Sequence, residues 1–253
     1  MVRWRAEVAD WSAFLLAFHA GRPGITEATL GRASRPRHGN AYEWLVDALP
    51  ADATTVVDVG CGSAPLQPLL RARRYVGADF STEELGLARE RGRGPLVRAT
   101  AEALPVATGS VDAVTISMAL QVLDLDAVLR QCARVLRAGG ILVATVPAGR
   151  VPRSLHDVHL VCRLALALRR VPSYRNDKAL RHPSTVFAPH RLRVLSDESL
   201  DFPLRLDDEA AALAFVDSLY LAALDTRRRH RAAAALVGRC WPVRVRRLVV
   251  ERH

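Results

Sequence analysis

VVDVGCGSAP, residues 56–65, decides how this 253-residue chain folds. Thr54–Val59 is a β-branched run with no polar alternation, the pattern of a strand buried on both faces of a parallel sheet. Gly60-Cys61-Gly62 stops it with a sharp turn: glycine tolerates positive φ and lets a ligand approach the main chain without a Cβ in the way. Such a turn alone is a weak signal, since any α/β protein can use one. Two features narrow it. The dinucleotide fingerprint wants Gly or Ala at the sixth position counting from Gly60, where this chain has Pro65, a residue suited to the first turn of a helix. Asp58, inside the strand, would sit badly beside a pyrophosphate and well beside a cationic ligand.

Downstream the strand–helix rhythm repeats. Arg74–Ala78 reads as a second strand, and Asp79 at its end stands at the roughly 20-residue distance from the glycine turn where a carboxylate accepts ribose hydroxyls. Ser81 with Glu84 three residues later forms a capping box for a helix running to Gly92 or Gly94. Leu96–Arg98 and Val111–Ser117 are the third and fourth strands. A helix marked by Leu125, Val128, Leu129, Cys132, Val135 and Leu136, stopped at Gly139-Gly140, leads to a fifth strand, Ile141–Val146. Right-handed βα units of this kind predict a doubly wound open sheet.

Five segments then occur in one order: DVGCGSA, VGADFS, AEALP, SVDAVTISMALQVL and RVLRAGGILVATVP. Over about residues 53–147 the chain resembles the class I S-adenosylmethionine-dependent methyltransferases, in particular the group with the type 11 core. The resemblance implies an α/β, Rossmann-like, doubly wound and mostly parallel seven-stranded sheet. It also implies S-adenosylmethionine as cofactor. Position by position, it implies that Gly60, Cys61 and Gly62 line the methionine part through main-chain groups and that Asp58 orients the amino group. Asp79 would hold the ribose, Phe80 would lie on the adenine face, and Thr100, Ala101 and Glu102 would lie at the adenine edge. Ser117 and Met118 would border the sulfonium. The chain departs from the pattern twice: Ala64 replaces the third glycine of the turn, and Thr100 stands where an acid often contacts the adenine amino group.

The flanks carry fewer signals. Residues 1–50 are expected to form an N-terminal helical lid, with a helix from Glu7 to His19, a hinge at GRPGITE (residues 21–27) and a helix around Tyr42–Leu49. The α/β core spans 51–149. Residues 150–190, with two histidine pairs, several prolines and an apolar stretch at 158–168, are expected to form a substrate cap inserted after the fifth strand. Residues 191–253 supply the strands and helices that complete the sheet: a strand over 191–206, a helix over 208–224 and a strand over 243–250.

Composition bounds the partners. The net charge of +10 raises nucleic acid, yet nearly all the positive charge is arginine, with Lys178 the single lysine, and this reads as a solvated basic surface. Cysteines 61, 132, 162 and 240 are too scattered for a disulfide framework or a zinc site, no metal-ligand spacing is visible, and no stretch is long enough to span a bilayer. The expectation is a cytoplasmic enzyme that methylates a small molecule, such as a bacterial secondary metabolite, by in-line displacement, with no metal and no membrane. RNA methylation is the alternative, and an inactive donor-binding domain a third reading. Where the acceptor needs a base, His156 and His159 are the named candidates, with Asp157, Tyr174, His182 and His190 behind them.

Overall fold

The computed structural model describes residues 8, 10–70, 73–148 and 154–253. The expected helix start at Glu7 and the first residues of the expected insertion, 150–153, lie outside these.

Seven strands form one sheet: β1 (Thr55–Val59), β2 (Arg74–Asp79), β3 (Leu96–Arg98), β4 (Val111–Ser117), β5 (Leu136–Pro147), β6 (Leu192–Leu206) and β7 (Arg239–Arg252). Their order is β3-β2-β1-β4-β5-β7-β6. The first five run parallel, while β7 pairs antiparallel with both β5 and β6. This is the mostly parallel, doubly wound α/β sheet that the sequence predicts. The strand order reverses between β1 and β4, and in open α/β sheets the crevice beyond the carboxyl ends at that point is where ligands bind.

The central strand behaves as its composition dictates. Val56, Val57, Asp58 and Val59 are all buried, with Val57 and Val59 in one cluster and Val56 in another. On the first side pack α5 (Leu125–Val135) and α7 (Pro183–Phe187), through Val128, Leu129, Cys132 and Phe187. On the other lie α3 (Ala41–Val46) and α4 (Thr82–Glu90), through Tyr42, Leu45, Leu85 and Ala88. A third cluster joins α6 (Leu155–Leu168), α8 (Glu209–Ser218) and α9 (Thr226–Ala234) to Phe202, Leu204, Leu206 and Val245 of the antiparallel end.

Several local expectations change. The first helix, α1 (Trp11–Gly21), starts later than read because Asp10 caps it, accepting from the N–H groups of Ser12 and Ala13. A helix absent from the sequence reading, α2 (Ile25–Leu30), follows Gly24 at φ +75°. Among the described residues, no α-helix follows the glycine turn before β2. Pro65 and Pro68 lack the N–H that an i→i−4 ladder needs, and Gln67–Leu70 makes a single 3₁₀ turn instead. Helix α8 ends at Ser218, so Tyr220 and Leu224, within the helix expected over 208–224, lie beyond it.

Asp112 ties the start of the sheet together. Its Oδ2 accepts from the N–H and hydroxyl of both Thr54 and Thr55 at 2.8–2.9 Å, and its Oδ1 accepts from Arg137 Nε at 2.7 Å. The Arg137 guanidinium and these donors hold the carboxyl well below the usual carboxylate range. Asp112→Ala is expected to cost about 2–3 kcal/mol, because it leaves several donors without their acceptor. A depressed carboxyl contributes stability above its unfolded value, near 3.9, and loses it as pH falls through the folded value. Urea unfolding at pH 7 and pH 3 should therefore show a gap between wild type and variant that narrows in acid. An unchanged midpoint at pH 7 would exclude the clamp.

Candidate functional site

The loop after β1 is shaped by left-handed residues in quick succession: Gly60 (φ +66°), Gly62 (φ +52°) and Ala64 (φ +53°). A side chain on Gly60 would press on Ala119 Cβ at 3.2 Å. The N–H groups of this turn are committed within the protein. Those of Gly60 and Cys61 donate to the Ala78 carbonyl at 2.8 and 3.1 Å, and that of Gly62 donates to Asp79 Oδ2 at 2.8 Å. What the turn offers a ligand is its carbonyl side and the room left by absent side chains.

Asp58 is 1% exposed and opposes Gly77 on β2 and Thr115 on β4. Its Oδ1 accepts from Thr115 Oγ1 at 2.9 Å and its Oδ2 from the Tyr75 hydroxyl at 3.0 Å. Gly77 makes the second contact possible, since a Cβ there would sit 2.7 Å from the Tyr75 oxygen and 2.8 Å from Cys61 Sγ. Burial pushes the Asp58 carboxyl up to about 7; the hydroxyls of Thr115 and Tyr75 oppose the rise and the charge of Asp79 adds to it. A buried acid held only by neutral hydroxyls suits a cationic ligand group.

Asp79, at the end of β2, accepts from Gly62 N–H and, through Oδ1, from Ser81 N–H at 2.9 Å. Its carboxyl is also raised by burial, against these two bonds. Burial, with the neighbouring acids, holds the Cys61 thiol far above its usual range, which removes any nucleophilic role.

Asp58, Gly60, Cys61, Gly62, Asp79, Phe80, Thr100, Ala101, Glu102, Ser117 and Met118 all line one cavity of about 320 Å³. A second cavity, about 750 Å³ and walled by apolar groups such as Leu160, Leu164, Phe215 and Trp241, adjoins it. Thr26, Met118 and Tyr220 line both. Met118 holds the strained left-handed conformation, φ +53°, at this junction.

The structure does not bring His156 and His159 to either cavity. Both are exposed on α6, and the helix periodicity turns the intervening Asp157 and the following Leu160 toward the larger cavity instead. His182 and His190 also line neither cavity, and His190 lies 3.4 Å from Asp126. Tyr174 and Asp157 do line the larger one.

Sequence reasoning missed the histidine that does reach the site. His19, at the end of α1, lines the smaller cavity, with Nδ1 2.9 Å from Glu84 Oε1 and Nε2 3.5 Å from the Tyr220 hydroxyl. Glu84 does not close the expected capping box. Ser81 Oγ accepts from Glu84 N–H at 3.2 Å, but the Glu84 carboxylate turns to His19 and to Gly24 N–H at 3.0 Å. Residues 21–27, read as a hinge, are thereby pinned to the core. Glu27 adds Ser63 Oγ at 2.5 Å, Arg91 at 2.5 Å and Arg93 at 2.8 Å, and its carboxyl is lowered, burial opposing these basic partners. No local pattern marks these partners, which lie 36–66 residues from Glu27.

Among the described residues, no three His, Cys, Asp or Glu side chains converge as metal ligands would, and no helix is long and apolar enough to cross a membrane.

The Rossmann-like sheet, the glycine turn, the buried acid in β1 and the acid ending β2 stand where the resemblance to class I methyltransferases implies. The comparisons agree: residues 57–144 match the family described as methyltransferase domain. This segment is a class I, S-adenosylmethionine-dependent methyltransferase domain. The chain is 39% identical over 124 residues to a demethylmenaquinone methyltransferase of Mycobacterium sp. (strain KMS), a match covering 47% of this chain and 54% of that protein. The chain spans about half the length, or less, of the curated relatives it matches. Among solved structures, it resembles the YcgJ protein from Bacillus subtilis, with a TM-score of 0.57, 17% identity and coverage of 83% and 96%. It also resembles geranyl diphosphate C-methyltransferase from Streptomyces coelicolor A3(2), with a TM-score of 0.55, 14% identity and coverage of 98% and 100%. Both likenesses are likenesses of fold.

Proposed function

We propose that the protein transfers a methyl group from S-adenosylmethionine to an apolar small molecule in the cytoplasm. The observation that carries this reading is Asp58, a buried carboxyl without a cationic partner, on the wall of a cavity that also holds the glycine turn and Asp79. The donor's ammonium is the cation that Asp58 lacks. Asp79 has a spare lone pair on each oxygen for the ribose hydroxyls. Phe80, Thr100, Ala101 and Glu102 surround the adenine, and Ser117 and Met118 border the reacting end. The donor supplies an activated methyl, so the protein's part is to align the acceptor and exclude water.

The 750 Å³ cavity, apolar along Leu160, Leu164, Phe215 and Trp241 and charged along its other wall, receives the acceptor, which reaches the methyl past Thr26, Met118 and Tyr220. Residues 1–50 act as a lid and 150–190 as the substrate cap. An apolar acceptor also accords with the demethylmenaquinone named for one relative. The basic run 227–231 lines neither cavity, and within it Arg228 pairs with Asp225 and Arg229 with Asp217. Incubation with methyl-labelled donor, a metabolite extract and total RNA should label a solvent-extractable small molecule. Label recovered only in RNA would reverse the acceptor assignment.

A further inference from the structure

We propose that Tyr220, His19 and Glu84 form a proton relay where the two cavities meet, and that the acceptor is methylated on a hydroxyl whose proton leaves along it. This rests on the donor and acceptor cavities proposed above. Three segments distant in sequence converge here: the end of α1, the first turn of α4 and the loop after α8. Glu84, whose side chain is 3% exposed, accepts from Gly24 N–H through one oxygen and faces His19 Nδ1 through the other at 2.9 Å. An ionised carboxylate only accepts, so Nδ1 carries the imidazole proton. Nε2 is left as an acceptor facing the Tyr220 hydroxyl at 3.5 Å, a separation the relay requires to shorten when an acceptor fills the site. Phe18 packs at 4.7 Å and Tyr174 at 6.2 Å from the Tyr220 ring, centroid to centroid, and hold it in place. Burial raises the Tyr220 phenol, opposed by the Thr26 hydroxyl, so it stays protonated and shuttles a proton rather than acting as a phenolate.

A second observation concerns the acceptor itself. Gln121, 1% exposed on the wall of the larger cavity, donates through Nε2 to the Met118 carbonyl at 2.5 Å, while its Oε1 has no hydrogen-bond partner. A buried acceptor left unpaired costs about 1–3 kcal/mol. A second hydroxyl of the acceptor, not the reacting one whose proton goes to Tyr220, would donate to it.

The step balances. The acceptor oxygen forms the new bond to the methyl carbon, and the C–S electron pair stays on sulfur as its positive charge disappears. The hydroxyl proton passes to Tyr220 as the Tyr220 proton passes to His19 Nε2. The positive charge thus ends on an imidazolium beside Glu84, which orients it.

The test uses the full chain with labelled S-adenosylmethionine and two probes: 2-naphthol, which must lose its proton, and 1-nitro-2-naphthol, which is largely ionised at pH 8. Tyr220→Phe and His19→Gln should each slow methylation of 2-naphthol about 100-fold, the usual scale of general-base catalysis, and leave the nitro compound within about threefold of wild type. Glu84→Gln should follow the same split, because it acts by fixing the tautomer. Nitrogen-15 NMR of wild type should show Nδ1–H with Nε2 unprotonated, and Glu84→Gln should shift that balance. Equal slowing with both probes, or the opposite tautomer, would overturn the relay. A wild type that binds S-adenosylhomocysteine yet methylates neither naphthol overturns the hydroxyl assignment. A wild type that fails to bind S-adenosylhomocysteine sinks the donor-site reading instead.

Discussion

Asp79→Ala is expected to weaken S-adenosylhomocysteine binding by about 10²–10⁴-fold in calorimetry, from the loss of two charge-assisted hydrogen bonds worth roughly 1.5–3 kcal/mol each. The geometry explains why the carboxylate is so well prepared. Gly62 N–H and Ser81 N–H each hold one oxygen, at 2.8 and 2.9 Å, so the group is fixed before any ligand arrives. A fixed acceptor spends little conformational entropy on binding. The same two bonds give the substitution a structural cost, since both N–H groups lose their partner, so the thermal midpoint must be measured beside affinity. Asp79→Asn separates the two effects. It keeps the volume and one acceptor oxygen but places an NH₂ against an N–H, and should bind more weakly than wild type while melting between the wild type and the alanine variant. A folded alanine variant with wild-type affinity would remove the ribose from this position.

How much of this was readable in advance follows from where the information lies. Strand β1 and its turn were legible because burial on both faces leaves a β-branched run and the positive φ of Gly60 and Gly62 leaves glycine. The spacing to Asp79 was legible because a βα unit fixes it. The helix expected after the turn failed on a local detail, the second proline at position 68, which denies the backbone a ladder. The anchoring of His19 and Gly24 to the core was invisible for a different reason. Glu84 satisfies the sequence rule for a capping box, but tertiary partners in Gly24 and His19 outcompete the local bond to Ser81. The choice of histidine failed similarly. Residues 156 and 159 were named for their place after β5, but helix periodicity sets which positions of α6 face inward, and it selects Asp157 and Leu160. Tyr220 falls within the helix expected over 208–224, but α8 ends at Ser218, and Tyr220 in the loop beyond it lines the junction.

Donor binding should also depend on pH through Asp58. With the folded carboxyl at about 7 and an unfolded value near 3.9, the empty protein holds a proton on Asp58 between these limits that the unfolded chain does not. A raised carboxyl therefore lowers stability as pH climbs from about 4 to about 7. Asp58→Asn, which keeps the room that Tyr75 and Thr115 occupy, should remove that part of the slope. Binding has the opposite sign. An ammonium beside Asp58 favours the anion, so the ligand expels the proton, and S-adenosylhomocysteine affinity should rise about 50-fold between pH 5 and pH 7 as the ionised fraction goes from about 1% to about one half. Calorimetry near pH 5.5 in buffers of different ionisation enthalpy should register release of about one proton in wild type. The asparagine variant should bind more weakly at pH 7 and show a flatter profile. Asp79 is raised as well and adds a trend of the same sign, which persists in the Asp58 variant, so the difference between the two proteins isolates Asp58. Equal slopes in both would mean that the donor's ammonium is held elsewhere.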